Sequence, residues 1–231
     1  MLEISGLTIR YGAFLAVGSL DIVIGKGDIV GLIGPNGAGK TSTVKALGGL
    51  IKPAAGRIAF RGRDLAGVPA HERITLGLSI VPEGRGIFAR MSVEENLLMG
   101  AYAFDGADKA ARMRRVYDLF PILAERRWQA AGTMSGGQQQ MLAVSMGLMA
   151  EPEMIVLDEP SLGLAPIVIE EIGKALIRLR EAGVTVFLVE QNATLTADVS
   201  DRIYVMSNGT VLHHGTAEEI TRNEDMLGAL L

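Results

Sequence analysis

One octapeptide constrains this chain more than any other feature. Gly34-Pro35-Asn36-Gly37-Ala38-Gly39-Lys40-Thr41 satisfies G-x-x-x-x-G-K-[ST] at every fixed position. It follows the apolar run Ile29 to Ile33, which reads as a strand, and opens a stretch, Lys40 to Leu50, that reads as a helix. Glycines let the backbone curl until its N–H groups converge on anionic oxygens, and a helix N-terminus adds partial positive charge there. Such a turn cradles a nucleoside triphosphate. Gly34, Asn36, Gly37, Ala38, Gly39, Lys40, Thr41 and Ser42 are the candidate phosphate contacts. Lys40 would bridge the β- and γ-phosphates, and the Thr41 hydroxyl would hold Mg²⁺. A glycine-rich strand–helix turn without a ligand is the alternative, and the strand–loop–helix context weighs against it.

A second feature belongs with the first. Met154-Ile155-Val156-Leu157 is apolar on both faces, as central parallel strands are, and it ends in Asp158-Glu159. Ligands of open α/β sheets sit outside the carboxyl ends of the strands. Asp158 is therefore expected to face the cradle and hold the metal through its water shell, with Glu159 placed to polarise an attacking water. A pair of surface acids starting a turn before Pro160 is the plainer reading.

The rest of the chain reads as an α/β core with an insertion. Leu2 to Arg10, Leu20 to Ile24, Asp28 to Ile33, Arg57 to Arg61 and Leu78 to Val81 have strand texture. From Ser92 to Ala150 strand patterns vanish. Ser92, with Glu95 three residues on, looks like a helix cap, and Lys109 to Phe120 and Gln138 to Ala150 show helical periodicity. Residues 88–150 are therefore expected to form a helical lobe inside one domain spanning residues 1–231. Helix Ile167 to Ala182, strand Val184 to Val189, helix Ala193 to Ser200 and strand Arg202 to Met206 then follow. That alternation implies right-handed βαβ units and a parallel sheet.

Composition removes several classes. Lys plus Arg is 22 against 26 Asp plus Glu, a net charge of −4, so the basic footprint of a broad nucleic-acid binder is missing. There are no cysteines, which excludes disulfides, thiol catalysis and Cys-ligated zinc. No secretory leader is expected from the Met1-Leu2-Glu3-Ile4 start, and no apolar stretch approaches the ~20 residues of a membrane span. Any membrane connection is expected to run through a partner. Arg112, Arg114, Arg115, Arg126 and Arg127 read as a solvated helix face, with contact to a membrane subunit as the alternative. Met141, Met146 and Met149 with Leu142 and Leu148 read as core, and His213 and His214 as surface residues.

Thr133-Met134-Ser135-Gly136-Gly137-Gln138 by itself is a helix cap with two glycines. Its sequence, and its place between cradle and acidic strand, resemble the LSGGQ signature of ABC ATPases, with Met134 for the usual Leu. The resemblance covers almost the whole chain and implies a P-loop NTPase fold. Its parts would be a RecA-like, mostly parallel core, an N-terminal antiparallel β subdomain and an inserted helical subdomain. Within the family, Val81-Pro-Glu-Gly-Arg85, Ser92-Val-Glu-Glu-Asn-Leu97, Asp158-Glu-Pro-Ser-Leu-Gly-Leu-Ala-Pro166 and Leu188-Val-Glu-Gln-Asn192 look most like the smaller ATPase of the Liv-type branched-chain amino acid importers.

The resemblance implies that two ATPase subunits, identical or homologous, close head to tail. Each ATP would lie between one subunit's cradle and the other's Ser135, Gly136, Gly137 and Gln138. Closure would drive membrane-spanning permease subunits at the cytoplasmic face of the cell membrane, and a periplasmic or extracellular solute-binding protein would act indirectly. Tyr11 matches the aromatic that stacks on adenine, and Ser161 to Ala165 the loop that meets the partner. The usual lid glutamine, a Mg²⁺ contact, is Glu83, which can bind metal through water but cannot donate a hydrogen bond. The usual switch histidine, a catalytic position beside Lys40 and Glu159, is Gln191, which can hydrogen-bond a γ-phosphate but cannot carry a proton. Both occur in the Liv-type branch. Ala165 replaces a common Asp. An ABC protein acting on nucleic acid or ribosomes, and an ATP clamp that hydrolyses poorly, are the competing functions.

Overall fold

The computed structural model describes residues 1–104 and 108–222. Residues 105–107 of the expected helical lobe and 223–231 of the expected domain lie outside them.

Three strands anchor the architecture because their sequences offer no polar face. In β3 (Ile29–Ile33) and β7 (Met154–Asp158) every residue is buried, and the same holds for β8 (Thr185–Glu190). Strands buried on both faces suit the interior of a parallel sheet. With β6 (Leu78–Val81), β9 (Arg202–Ser207) and β10 (Thr210–Thr216) they form a six-stranded sheet in the order β10-β9-β3-β8-β7-β6. All neighbours in it are parallel except the edge pair β9–β10. The expected mostly parallel sheet is present, with β9–β10 as its one antiparallel pair.

A second sheet, ordered β2-β1-β4-β5, is antiparallel. It contains β1 (Leu2–Tyr11), β2 (Phe14–Ile24), β4 (Ala55–Phe60) and β5 (Arg63–Asp64). β2 starts at Phe14 rather than Leu20. The register against β1 shifts more than once, and Ser19 adopts φ 55°, so the alternation that marks a strand is broken there. β4 runs to Phe60, not Arg61, because Arg61 turns to positive φ at the hairpin.

Between the two sheets lies α1 (Lys40–Leu47), whose buried Val44, Ala46 and Leu47 join one core with Ile4, Ile22 and Val189. It stops before the expected Leu50. Gly49 adopts φ 74°, the Gly49 N–H donates to Ala46 O and the Leu50 N–H to Lys45 O, closing the helix end. Arg73, in the short α2 (Ala70–Arg73), is 8% exposed and reaches the same end. Its guanidinium donates to the carbonyls of Ala46 and Leu47 and to those of Leu65 and Val68. A cation there complements the helix dipole and ties the antiparallel sheet's loops to the cradle helix.

The helical lobe holds α3 (Val93–Gly100), α4 (Lys109–Leu119), α5 (Pro121–Glu125) and α6 (Gly136–Leu148). Ser92 and Glu95 form the expected capping box. Met141, Leu142 and Met149 are buried as expected, in a core shared with Leu157 and Leu188 of the parallel sheet. One arginine departs from the solvated reading. Arg112 is 12% exposed, donates to Met149 O at 2.7 Å, pairs with Glu151 at 3.1 Å and covers the Phe104 ring. Arg114, Arg126 and Arg127 are exposed, and Arg115 pairs with Glu151 from a side chain 68% exposed. α7 (Pro166–Glu181), α8 (Ala193–Val199) and α9 (Ala217–Arg222) complete the described chain.

Candidate functional site

The expected cradle forms where β3 passes into α1. Gly39, the residue before the helix, has φ 107° and faces the carbonyl of Ala16. A Cβ there would lie 2.6 Å from that oxygen, so the turn admits no side chain. Lys40 is 4% exposed. Its Nζ donates to Gly34 O at 2.8 Å and Pro35 O at 3.3 Å and lies 3.2 Å from Glu159 Oε1. Residues at the ends of two strands far apart in sequence thus meet at one ammonium group.

Glu159 sits in the left-handed region, φ 49°, held by its N–H donating to Val189 O at 2.8 Å. A non-glycine residue in that region is uncommon and marks a constrained turn. Beside it, Asp158 is 3% exposed and its Oδ1 has no hydrogen-bond partner. Burial pushes the Asp158 carboxyl up to about 6. Glu159 and Glu83 add to this, while the Thr41 hydroxyl and Lys40 oppose it. A buried, unpartnered carboxylate oxygen beside a threonine hydroxyl fits a hard divalent cation. Among the described residues no three His, Cys, Asp or Glu side chains converge as a metal cage. One carboxylate and one hydroxyl suit a cation that keeps most of its waters, as Mg²⁺ does.

A cleft of about 340 Å³ opens beside these groups, lined by Tyr11, Phe14, Ala16, Asn36 to Ser42, Glu83 and Glu159. Tyr11 is 47% and Phe14 66% exposed, and the two are cross-strand partners at the tip of the β1–β2 hairpin. The Tyr11 hydroxyl lies 3.4 Å from Ser42 Oγ. Phe14 was not singled out in the sequence. The available signal was its place opposite Tyr11 across Gly12-Ala13.

Gly34 and Asp158 adjoin the cleft without lining it, and two further sets of expected residues lie elsewhere. Gln191 is exposed, and it does not line the cleft. Neither does any residue of Ser135 to Gln138. There Ser135 Oγ accepts from the Gln138 N–H, and Gln138 Oε1 accepts from the Ser135 N–H, a capping box at the start of α6. α6 begins at Gly136, two residues before the expected Gln138. A Cβ on Gly137 would come within 2.6 Å of Val168 on α7, so glycine lets the two helices close. Arg85, which the sequence offered only as the end of the Val81 segment and without a role, donates to Gln139 Oε1 at 2.7 Å and joins the Glu83 segment to α6. In the Ser161 to Ala165 loop, Ser161 is buried, whereas Leu162 is 52% exposed.

Residues 17–162 match the family described as ABC transporter. The chain is 45% identical, over 231 residues covering 100% of it and 99% of the relative, to the high-affinity branched-chain amino acid transport ATP-binding protein BraG of Pseudomonas aeruginosa. It is 34% identical to the probable branched-chain amino acid transport ATP-binding protein LivF of Archaeoglobus fulgidus, over 97% of this chain and 95% of that one. Its fold superposes on the crystal structure of a nucleotide-free ATP-binding cassette from an ABC transporter. The TM-score is 0.89 at 24% identity, covering 100% of this chain and 98% of the other. With its cradle, acidic strand end and helical lobe in one fold, and relatives matched along its length, the chain belongs to the ABC transporter family.

Proposed function

We propose that this chain is the ATP-binding and ATP-hydrolysing subunit of an importer for branched-chain or other hydrophobic amino acids. The observation that carries the reading is the meeting of Lys40, Thr41 and Glu159 at one cleft, with the buried Asp158 beside Thr41 and Glu159, while the turn at Ser135 stands outside it. The 45% identity to a branched-chain amino acid transport protein supports the solute class.

In this reading the backbone N–H groups of Gly34 and of Asn36 to Gly39 donate to the phosphates, with Ser42 in the same wall. Lys40 leaves its carbonyl partners and Glu159 to neutralise charge on the β- and γ-phosphates. Thr41 and Asp158 would hold Mg²⁺, with Glu83 reaching it through water. Bound there, the ion would screen the phosphate charge. Tyr11, with Phe14 beside it, stacks on the adenine. Glu159, freed from Lys40, accepts a hydrogen bond from the attacking water and orients it. Gln191 offers an amide to the γ-phosphate.

Ser135, Gly136, Gly137 and Gln138 serve the nucleotide of a second ATPase subunit, and Ser161 to Ala165 faces that subunit. Membrane-spanning permease subunits complete the machine, with a solute-binding protein acting outside. The chain works at the cytoplasmic face of the membrane and binds no nucleic acid. Among the described residues no helix is long and apolar enough to cross a membrane, which supports attachment through permease subunits.

One observation favours a second reading, an ATP clamp of slow turnover: Gln191 lies outside the cleft and cannot carry a proton. Turnover of the purified chain, alone and with its permease partners, measured against Glu159→Gln separates the two. A fall of at least a hundredfold in the variant supports the ATPase. Equal rates remove Glu159 from the chemistry.

A further inference from the structure

β8 ends in a carboxylate that the mechanism above does not use. Glu190 is 2% exposed and does not line the nucleotide cleft. Its Oε1 accepts from the Ser161 N–H at 2.8 Å. Its Oε2 accepts from the Gln191 N–H at 3.1 Å and the Asn192 N–H at 3.2 Å. One residue earlier, Val189 O accepts from the Glu159 N–H at 2.8 Å. The end of β8 therefore grips both turns that flank it: the one carrying Glu159 and Ser161, and the one carrying Gln191 and Asn192.

The sequence offered an easier solution. An apolar residue at 190 would continue the run Val186 to Val189, all 0% exposed, but it would leave the Ser161, Gln191 and Asn192 N–H groups to find other acceptors. Burying a carboxylate is costly unless several donors converge on it. Burial raises the Glu190 carboxyl, and the Ser161, Asn192 and Gln191 donors offset part of that. Both oxygens are used as acceptors, so a carboxylate satisfies this arrangement and a carboxamide cannot. An amide NH₂ would face a backbone N–H on one side or the other.

From this geometry we infer that Glu190 is a positioning residue. It fastens the partner-facing loop that starts at Ser161 to the loop that carries Gln191, so that the two move as one unit and set the orientation of Glu159. The inference rests on the ATPase reading for its catalytic consequence, but not for the clasp. What arrives at Ser161 to Ala165 from a partner subunit is delivered through Glu190 to the turn beside the phosphates.

Residue-resolved amide hydrogen exchange on the unmodified chain tests the clasp directly. The Ser161, Gln191 and Asn192 amides should be protected, and saturating Mg-ATP should change the protection of all three by the same factor. A Ser161 amide exchanging at the rate of an open loop, or three amides responding by different factors, would overturn the inference. Glu190→Gln preserves volume and supplies the second test. Protection at all three amides should drop together while β7 and β8 amides keep theirs. In turnover, kcat should fall at least tenfold with the dissociation constant for ATP within twofold of the original, and Glu190→Asp should recover part of kcat. An unchanged kcat, or ATP affinity and melting temperature falling in step with kcat, sinks the positioning role. If the unmodified chain hydrolyses no ATP, the ATPase reading fails while the exchange experiment still decides the clasp.

Discussion

At the scale of single residues the site is held by charges placed in partial burial. Lys40 and Glu159 have side chains 3% and 8% exposed, 3.2 Å apart. Removing one would leave the other buried without its partner, which is costly. Lys40→Ala is therefore expected to abolish nucleotide binding and also to lower stability. Titration with a fluorescent ATP analogue checks the first, and retained binding at millimolar concentration or tighter contradicts the cradle assignment. Asp158 gives a pH dependence with a definite sign. Its carboxyl titrates at about 6 in the folded chain against 3.8 for an ordinary aspartate. The native state thus keeps a proton that the unfolded chain has already released. Stability in the absence of nucleotide should fall as pH rises from about 4 to about 6, and level off above that. At roughly 1.4 kcal/mol per pKa unit, the loss is on the order of 2–3 kcal/mol. Asp158→Asn should remove this component. Denaturation of both proteins at pH 4.5 and pH 7 reads it as a difference, and identical pH slopes would refute it.

At the scale of elements, apolar continuity was the reliable sign. β3, β7 and β8 are legible because no residue on either face interrupts the run. The start of β2 was hidden by its register shifts and the positive φ of Ser19. β5, α2 and α9 are too short or too polar to show a period. In the candidate site, the cradle and acidic pair were readable from local spacing. The Lys40–Glu159 contact and the Glu190 clasp depend on which strands become neighbours, and β3 and β7 meet only through β8. Gly137 carries a prediction of its own. With Val168 2.6 Å from where its Cβ would stand, Gly137→Ala must push α6 away from α7. A loss of about 1–3 kcal/mol is expected from such overpacking. Urea denaturation checks it, and an unchanged midpoint would show that the helices can part at no cost.

At the scale of the whole molecule, two sheets converge on the cradle and the helical lobe carries a second surface away from it. The antiparallel sheet reaches it through the hairpin tip at Tyr11 and Phe14 and, behind, through Arg73 on the last turn of α1. The parallel sheet supplies Asp158 and Glu159. The helical lobe, fastened through Arg85 and Arg112, supplies the turn at Ser135. With Glu159→Gln, ATP should be bound and not spent. On the proposed reading the variant in Mg-ATP elutes from size exclusion at twice the mass of a single chain, alone or with its related subunit, and a single-chain elution volume counts against it.

The Ser135 turn faces solvent rather than its own cleft. On the proposed reading each molecule carries two halves of different sites, and flooding it with nucleotide cannot complete either one. Encounter between chains, not saturation by ATP, then limits a dilute preparation. Its rate should grow with the square of protein concentration before settling into proportionality.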